Sequence, residues 1–215
     1  MHRVLILGLA LSALGACETE VDTKPAAEVK EFQAPVPEAA PTPAAATVPT
    51  LPEKGIKVDA TSSKIAFMGA KVTGTHSGGF SDFTGYAVVE GEELTETMFI
   101  VDMKSTFSDA EKLTKHLKSA DFFSVDANPA SSFTSTSITA GGEGGTHTVT
   151  GILDLRGQKK ELTFPATITV AGDMATFKSE FKMNRQLWGI AYPGKPDDLI
   201  KDDVAIILDL SFPRS

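Results

Sequence analysis

The chain has 215 residues and a formal net charge of −8, with 28 acidic residues, 20 basic residues and one cysteine. Acidity without a basic stripe argues against a nucleic-acid partner, and one cysteine cannot form an internal disulfide. Hydrophobic residues make up 41% of the sequence, enough for a core, but they are spread unevenly along it.

The first residues read as a secretory signal. Met1, His2 and Arg3 form a basic start, Val4 to Leu14 an apolar run, and Gly15 and Ala16 a small-residue cut site. The run is about eleven residues, short of the roughly 20 that a transmembrane helix needs. Leu14-Gly15-Ala16-Cys17 resembles the lipobox of bacterial lipoproteins. That resemblance implies cleavage after residue 16, acylation of Cys17 and attachment to a membrane through lipid. Two or more acyl chains hold stably where one does not. An ordinary signal peptide that happens to precede a cysteine is the alternative. Glu18 follows the cysteine, and the lack of aspartate there leans toward the outer membrane, facing the periplasm.

Residues 17–55 read as a tether. From 18 to 55 there are seven prolines, eight alanines and few large apolar side chains, a composition that does not offset its own ordering entropy. The expectation is a disordered, semi-extended linker reaching at most about 125 Å and typically about 35 Å.

Residues 56–215 form the globular part, 160 residues and one domain. Its 21 acidic and 16 basic residues disfavour direct binding to anionic headgroups. The pattern is mostly period two. Single-face rows run through Ile65 and Phe67; through Phe80 to Val89 with a break at Ser81-Asp82; through Phe99, Val101 and Met103; and along Ser132 to Ile138. Further rows are Val149, Gly151, Leu153 and Leu155; Leu162 to Val170; Ala175 to Met183; and Val204 to Phe212. Turn residues separate them about every ten positions, as in an antiparallel sheet with one buried face. Asp109 to Lys118 predicts one short helix, with Ser108 or Asp109 as N-cap and Leu113 and Leu117 on one face. The expectation is all-β: an eight-stranded antiparallel barrel with one helix, whose closure removes exposed edges. An open sandwich is the alternative.

Several segments resemble the YceI-like family. Lys115 to Val125, containing Asp121-Phe122-Phe123, is similar to its helix-end signature, and Pro129 to Ser135 to the strand that follows. Val58-Asp59 with Ser62 to Phe67, Gly79 to Gly85, Gly151 to Lys160, Asn184 to Ile190 and Ile200 to Val204 also match, in order across 56–215. Ser62-Ser63 stands where the family often has His-Ser, Trp188 where Phe is more usual, and Tyr192 to Asp198 is a variant loop. The resemblance implies a lipocalin-like barrel holding a long isoprenoid chain or another apolar lipid in an elongated cavity, with no general catalytic chemistry.

The inward rows either fill a solid core or line such a cavity. Eight-stranded barrels have room for either, and Gly69, Gly151, Ala166, Ala175 and Ser179 leave width beside the aromatics. The candidate ligand residues are Phe67, Phe80, Phe99, Val101, Phe133, Leu153, Phe164, Ile168, Phe177, Phe181, Ile206 and Leu208, with Arg185 and Trp188 near the barrel mouth. Arg185 is read as a headgroup contact or as an ion pair with Asp197, Asp198, Asp202 or Asp203. Phe122 and Phe123 are read as a structural plug or a cavity lid. His76, His116 and His147 lie in different elements without ligand spacing, so no metal or cofactor is expected. No nucleophile elbow or phosphate loop is present, so no catalytic residue is assigned. A carrier of an apolar lipid is the first reading, and a solid-cored envelope interaction module the second. Self-association is left open.

Overall fold

A computed structural model describes residues 18–32 and 51–214. Signal residues 1–16, Cys17 and residues 33–50 lie outside the described residues. In chain order the strands are β1 (Glu28–Glu31), β2 (Gly55–Lys57), β3 (Lys64–Lys71), β4 (Gly74–Phe80), β5 (Phe83–Glu90), β6 (Glu93–Asp102) and β7 (Thr106–Ser108). Helix α1 (Glu111–Lys118) follows. Then come β8 (Ala130–Ala140), β9 (His147–Leu155), β10 (Gln158–Ala171), β11 (Met174–Asn184), β12 (Gly194–Lys195) and β13 (Asp198–Pro213). One antiparallel path runs β2-β5-β6-β8-β9-β10-β11-β13-β3-β4-β7. It curls until its β2 end reaches β13, where the Asp59 N–H after β2 donates to the Ser211 carbonyl at 2.9 Å.

The fold is therefore all-β with one helix and lipocalin-like, built from more strands than eight. The additional long strand is β4. Its sequence, Gly-Thr-His-Ser-Gly-Gly-Phe, carries no apolar alternation. It pairs β3 throughout, and a Cβ on Gly78 would collide with the Phe67 ring and the Phe107 carbonyl. Glycine is the residue that lets the Phe67 ring lie flat on this strand. Between β9 and β10, Arg156 (φ 55°) and Gly157 (φ 72°) both take positive φ, the backbone that a tight two-residue hairpin demands.

Helix α1 begins later than its polar start suggests. Its N-cap is Ala110, which has no side-chain bond. The Asp109 carboxylate is occupied instead by the Ser77 N–H at 3.1 Å and His76 Nδ1 at 3.0 Å. The Ser108 hydroxyl bonds the Thr114 hydroxyl and the Ala110 carbonyl.

The expected disorder of the tether does not extend to residues 18–32. Pro165 explains where this segment goes. Residues 158–166 of β10 pair β9, but β10 pairs β11 only from Thr167 onward. Proline supplies no ladder donor, and the Pro165 carbonyl accepts from the Ser179 hydroxyl at 2.6 Å rather than from the β11 backbone. Here β10 and β11 splay apart. The N-terminal segment enters the seam, with β1 pairing residues 160–163 of β10. On the other side, the Lys182 N–H donates to the Pro25 carbonyl and the Ala27 N–H to the Lys182 carbonyl. Ala27 and Val29 pack on the main core, and Val21 is fully buried against Ala70 and Ala205 on the outer face of β3 and β13. Averaging composition over 38 residues concealed these few apolar positions.

Candidate functional site

The inward rows split at one level of the barrel. Below it, toward the β5–β6, β8–β9 and β10–β11 turns, the interior is solid: Phe177, Ala175, Leu210, Phe212 and Val149 have at most 1% of their surface exposed. Above it lies a cavity of about 830 Å³, within the range of small-molecule sites. Along β13 its wall runs from Ile200 to Leu208, about 26 Å of strand at 3.3 Å per residue. The cavity is elongated and apolar, and it opens where α1, the β3–β4 turn and the β12–β13 turn meet.

An aromatic row forms the floor. Phe99 stacks on Phe133 with centroids 5.3 Å apart, Phe133 meets Phe164 at 5.5 Å, and Phe164 stacks on Phe181 at 4.3 Å. These are the deepest lining residues of β6, β8, β10 and β11. The next inward positions, Thr97, Ser135, Ala166 and Ser179, are small and buried. Phe133 also lies over Gly151 of β9, where a Cβ would collide with its ring. The small residues therefore seat the aromatic floor rather than widen the cavity. Gly69 differs: it lines the cavity, and a Cβ there would meet nothing within 4 Å.

The side wall and mouth carry two further clusters. Phe67, Phe80 and Phe123 meet with centroids 5.7 to 6.1 Å apart. His116, Phe122 and Tyr192 meet at 4.8 to 5.4 Å. Phe122 is buried and Phe123 half-buried, and both line the cavity, so wall packing and cavity lining are one role here.

Apart from the rim lysines Lys112 and Lys195, the polar groups reaching this space are already partnered. The buried Ser131 hydroxyl donates to the Asp154 carbonyl at 2.7 Å. His116 Nε2 lies 2.8 Å from Asp121, and Lys71 Nζ 2.5 Å from Asp198. The Lys71 bond holds the Asp198 carboxyl below the usual carboxylate range, with Thr73 adding to it. Arg185 is 3% exposed. It donates to the carbonyls of Lys201 at 3.0 Å, Ile190 at 2.5 Å and Ile200 at 3.5 Å, with Asp202 at 3.8 Å. Burial pulls its guanidinium below the ordinary value, partly offset by Asp202. Arg185 is thus chiefly a clamp on the backbone of the mouth loops. Among the described residues no group of three or more His, Cys, Asp or Glu could hold a metal ion.

Of the residues singled out from sequence, Phe67, Phe80, Phe99, Val101, Phe133, Leu153, Phe164, Phe181, Arg185, Ile206 and Leu208 line this one cavity. Ile168 and Phe177 do not, because they fall below the floor in the solid half. Trp188 does not either. It is fully buried in the turn after β11, and its Nε1–H has no partner among the described residues. Period-two reading missed Ile200 and Tyr192. A register shift between Ile200 and Val204 breaks the row, and Tyr192 lies outside any strand.

A family model described as the YceI-like domain matches residues 56–212. The chain belongs to the YceI-like family. A UPF0312 protein of Pseudomonas putida (strain W619) is 32% identical over 137 residues, covering 60% of this chain and 71% of the relative. A UPF0312 protein of Pseudomonas aeruginosa (strain UCBPP-PA14) is 31% identical over 98 residues, covering 45% and 50%. Among solved structures, BcnA of Burkholderia cenocepacia superposes with a TM-score of 0.63 at 21% identity, covering 72% of this chain and 98% of BcnA. A polyisoprenoid binding domain from Saccharophagus degradans gives 0.59 at 13% identity, covering 73% and 97%. At these identities the likeness is one of fold: this YceI-like chain shares their curled barrel.

Proposed function

We propose that this YceI-like protein is a cell-envelope lipoprotein that binds and carries a long apolar ligand, an isoprenoid or another chain-like lipid, without reacting on it. The elongated apolar cavity with its aromatic floor carries this reading. Burying an extended chain there gains free energy in proportion to the apolar area removed from water, and an interior whose polar groups are already bonded holds a chain without a reactive group to attack it. The S. degradans neighbour, described as a polyisoprenoid binding domain, supports the ligand class. The lipobox-like Leu14 to Cys17 supports attachment through acyl chains, and Glu18 in place of aspartate after the cysteine supports the outer membrane, facing the periplasm. Native mass spectrometry, followed by solvent extraction of the purified protein, should find a co-purifying lipid in the cavity. Protein that stays empty, and that takes up no polyprenyl chain from detergent, overturns the proposal.

A further inference from the structure

The two most exposed large apolar side chains among the described residues are Val72, at 72%, and Leu199, at 51%. They are neighbours, since the Val72 N–H donates to the Leu199 carbonyl at 3.2 Å. Each is adjacent in sequence to a residue lining the cavity mouth, Lys71 and Ile200. The same rim carries Lys112, Lys115 and Lys195. Lys115 pairs with Glu111 at 2.7 Å, while Lys112 and Lys195 make no ion pair among the described residues. Asp197 and Asp198 are the acids of that turn, and Asp198 is taken up by Lys71, so Lys112 and Lys195 against Asp197 leave the rim with a small surplus of positive charge. The opposite end of the barrel differs, with Glu90, Glu92, Glu93, Glu143 and Asp173 on its turns. The net charge of −8 thus conceals a polarity along the barrel axis.

The N-terminal segment begins at the same rim. Lys201, next to Ile200, reaches the Asp22 carboxylate at 2.5 Å and the Thr19 hydroxyl at 3.4 Å. The chain leading back to residue 17 therefore enters beside the mouth, not at the acidic end.

We propose that the mouth rim docks on an anionic lipid bilayer, with Val72 and Leu199 inserted at the interface and the cavity opening toward the acyl chains. Lysines around exposed apolar side chains are the chemistry of interfacial binding, and the acidic end is repelled by the same surface. The orientation deepens the carrier reading and rests on it for the ligand's route, but it does not rest on acylation of Cys17.

Mapping cross-links from a photoactivatable phosphatidylglycerol, in phosphatidylcholine vesicles mixed with the purified full chain, tests this. Cross-links should fall on residues 71–73, 112–118 and 194–199. An even distribution, or clustering at 90–93, 141–145 and 171–174, overturns it. The double variant Val72→Asp with Leu199→Asp should lower rim cross-linking about tenfold without changing ligand content, because neither side chain lines the cavity. Unchanged cross-linking also overturns it. A Cys17→Ser chain separates the readings. If it stays on cell membranes as the parent does, the anchor reading fails; if its cross-links to added vesicles still fall on the rim, the docking stands.

Discussion

The Arg185 guanidinium donates to carbonyls of Ile190, Ile200 and Lys201, tying both mouth segments to the end of β11. Removing it strands those acceptors in a buried place, where each costs on the order of 1–3 kcal/mol. Arg185→Met should therefore destabilise the protein by about 3 kcal/mol, a fall in Tm of about 6–12 °C by calorimetry. Arg185→Lys should recover only part of this, since one ammonium does not reproduce the fork. Gly69 allows the opposite experiment. A side chain there has open cavity ahead of it, so Gly69→Leu should cut the co-purifying ligand while stability changes by less than about 1 kcal/mol. Lipid extraction read beside a melt checks both halves. Gly151 and Gly69 looked alike as small members of inward rows. One seats Phe133 and the other faces empty volume, a distinction that needs the neighbouring strand.

At the scale of elements, alternation revealed the strands that bury one face, and the family-like segments of β3, β8 and β9 lie on such strands. It did not reveal β4, whose glycines leave no pattern, or β1, whose place depends on Pro165 opening a seam in another part of the chain. The strap from residue 18 to β1 has its own pH dependence. The Asp22 carboxyl lies well below the usual carboxylate range, held there first by Lys201 and then by the N–H and hydroxyl of Thr19. A depressed folded-state value stabilises docking above the free carboxyl's ordinary value of about 3.9 and loses that contribution as the pH falls through the folded value. Hydrogen exchange over residues 19–31, corrected for intrinsic rate, should show equal protection at pH 7 and 5 and a progressive loss below about 4. Lys201→Ala should give the loss already at pH 7. Equal protection in the variant would assign docking to Val21 and the β1 ladder alone.

At the scale of the whole molecule, the barrel is half hollow and half solid, and parity along a strand says nothing about depth. That is why Phe164 and Ile168, on the same face of β10, lie one at the cavity floor and one beneath it. The proposed membrane attachment also belongs to this scale, because it sets three determinants against one another. The acid excess repels anionic lipid, the mouth rim attracts it, and acyl chains on Cys17 would outweigh both. Cys17→Ser should therefore move the protein from the membrane to the soluble fraction on cell fractionation, with its melt and its co-purified ligand unchanged. What binding remains to anionic vesicles should be electrostatic in part, weakening as salt rises from about 0.01 to 0.15 M and the screening length shrinks from about 30 to 8 Å. A variant that stays on the membrane at high salt would move the anchor away from Cys17, and one that melts earlier would mean that the N-terminal residue supports the strap rather than the membrane.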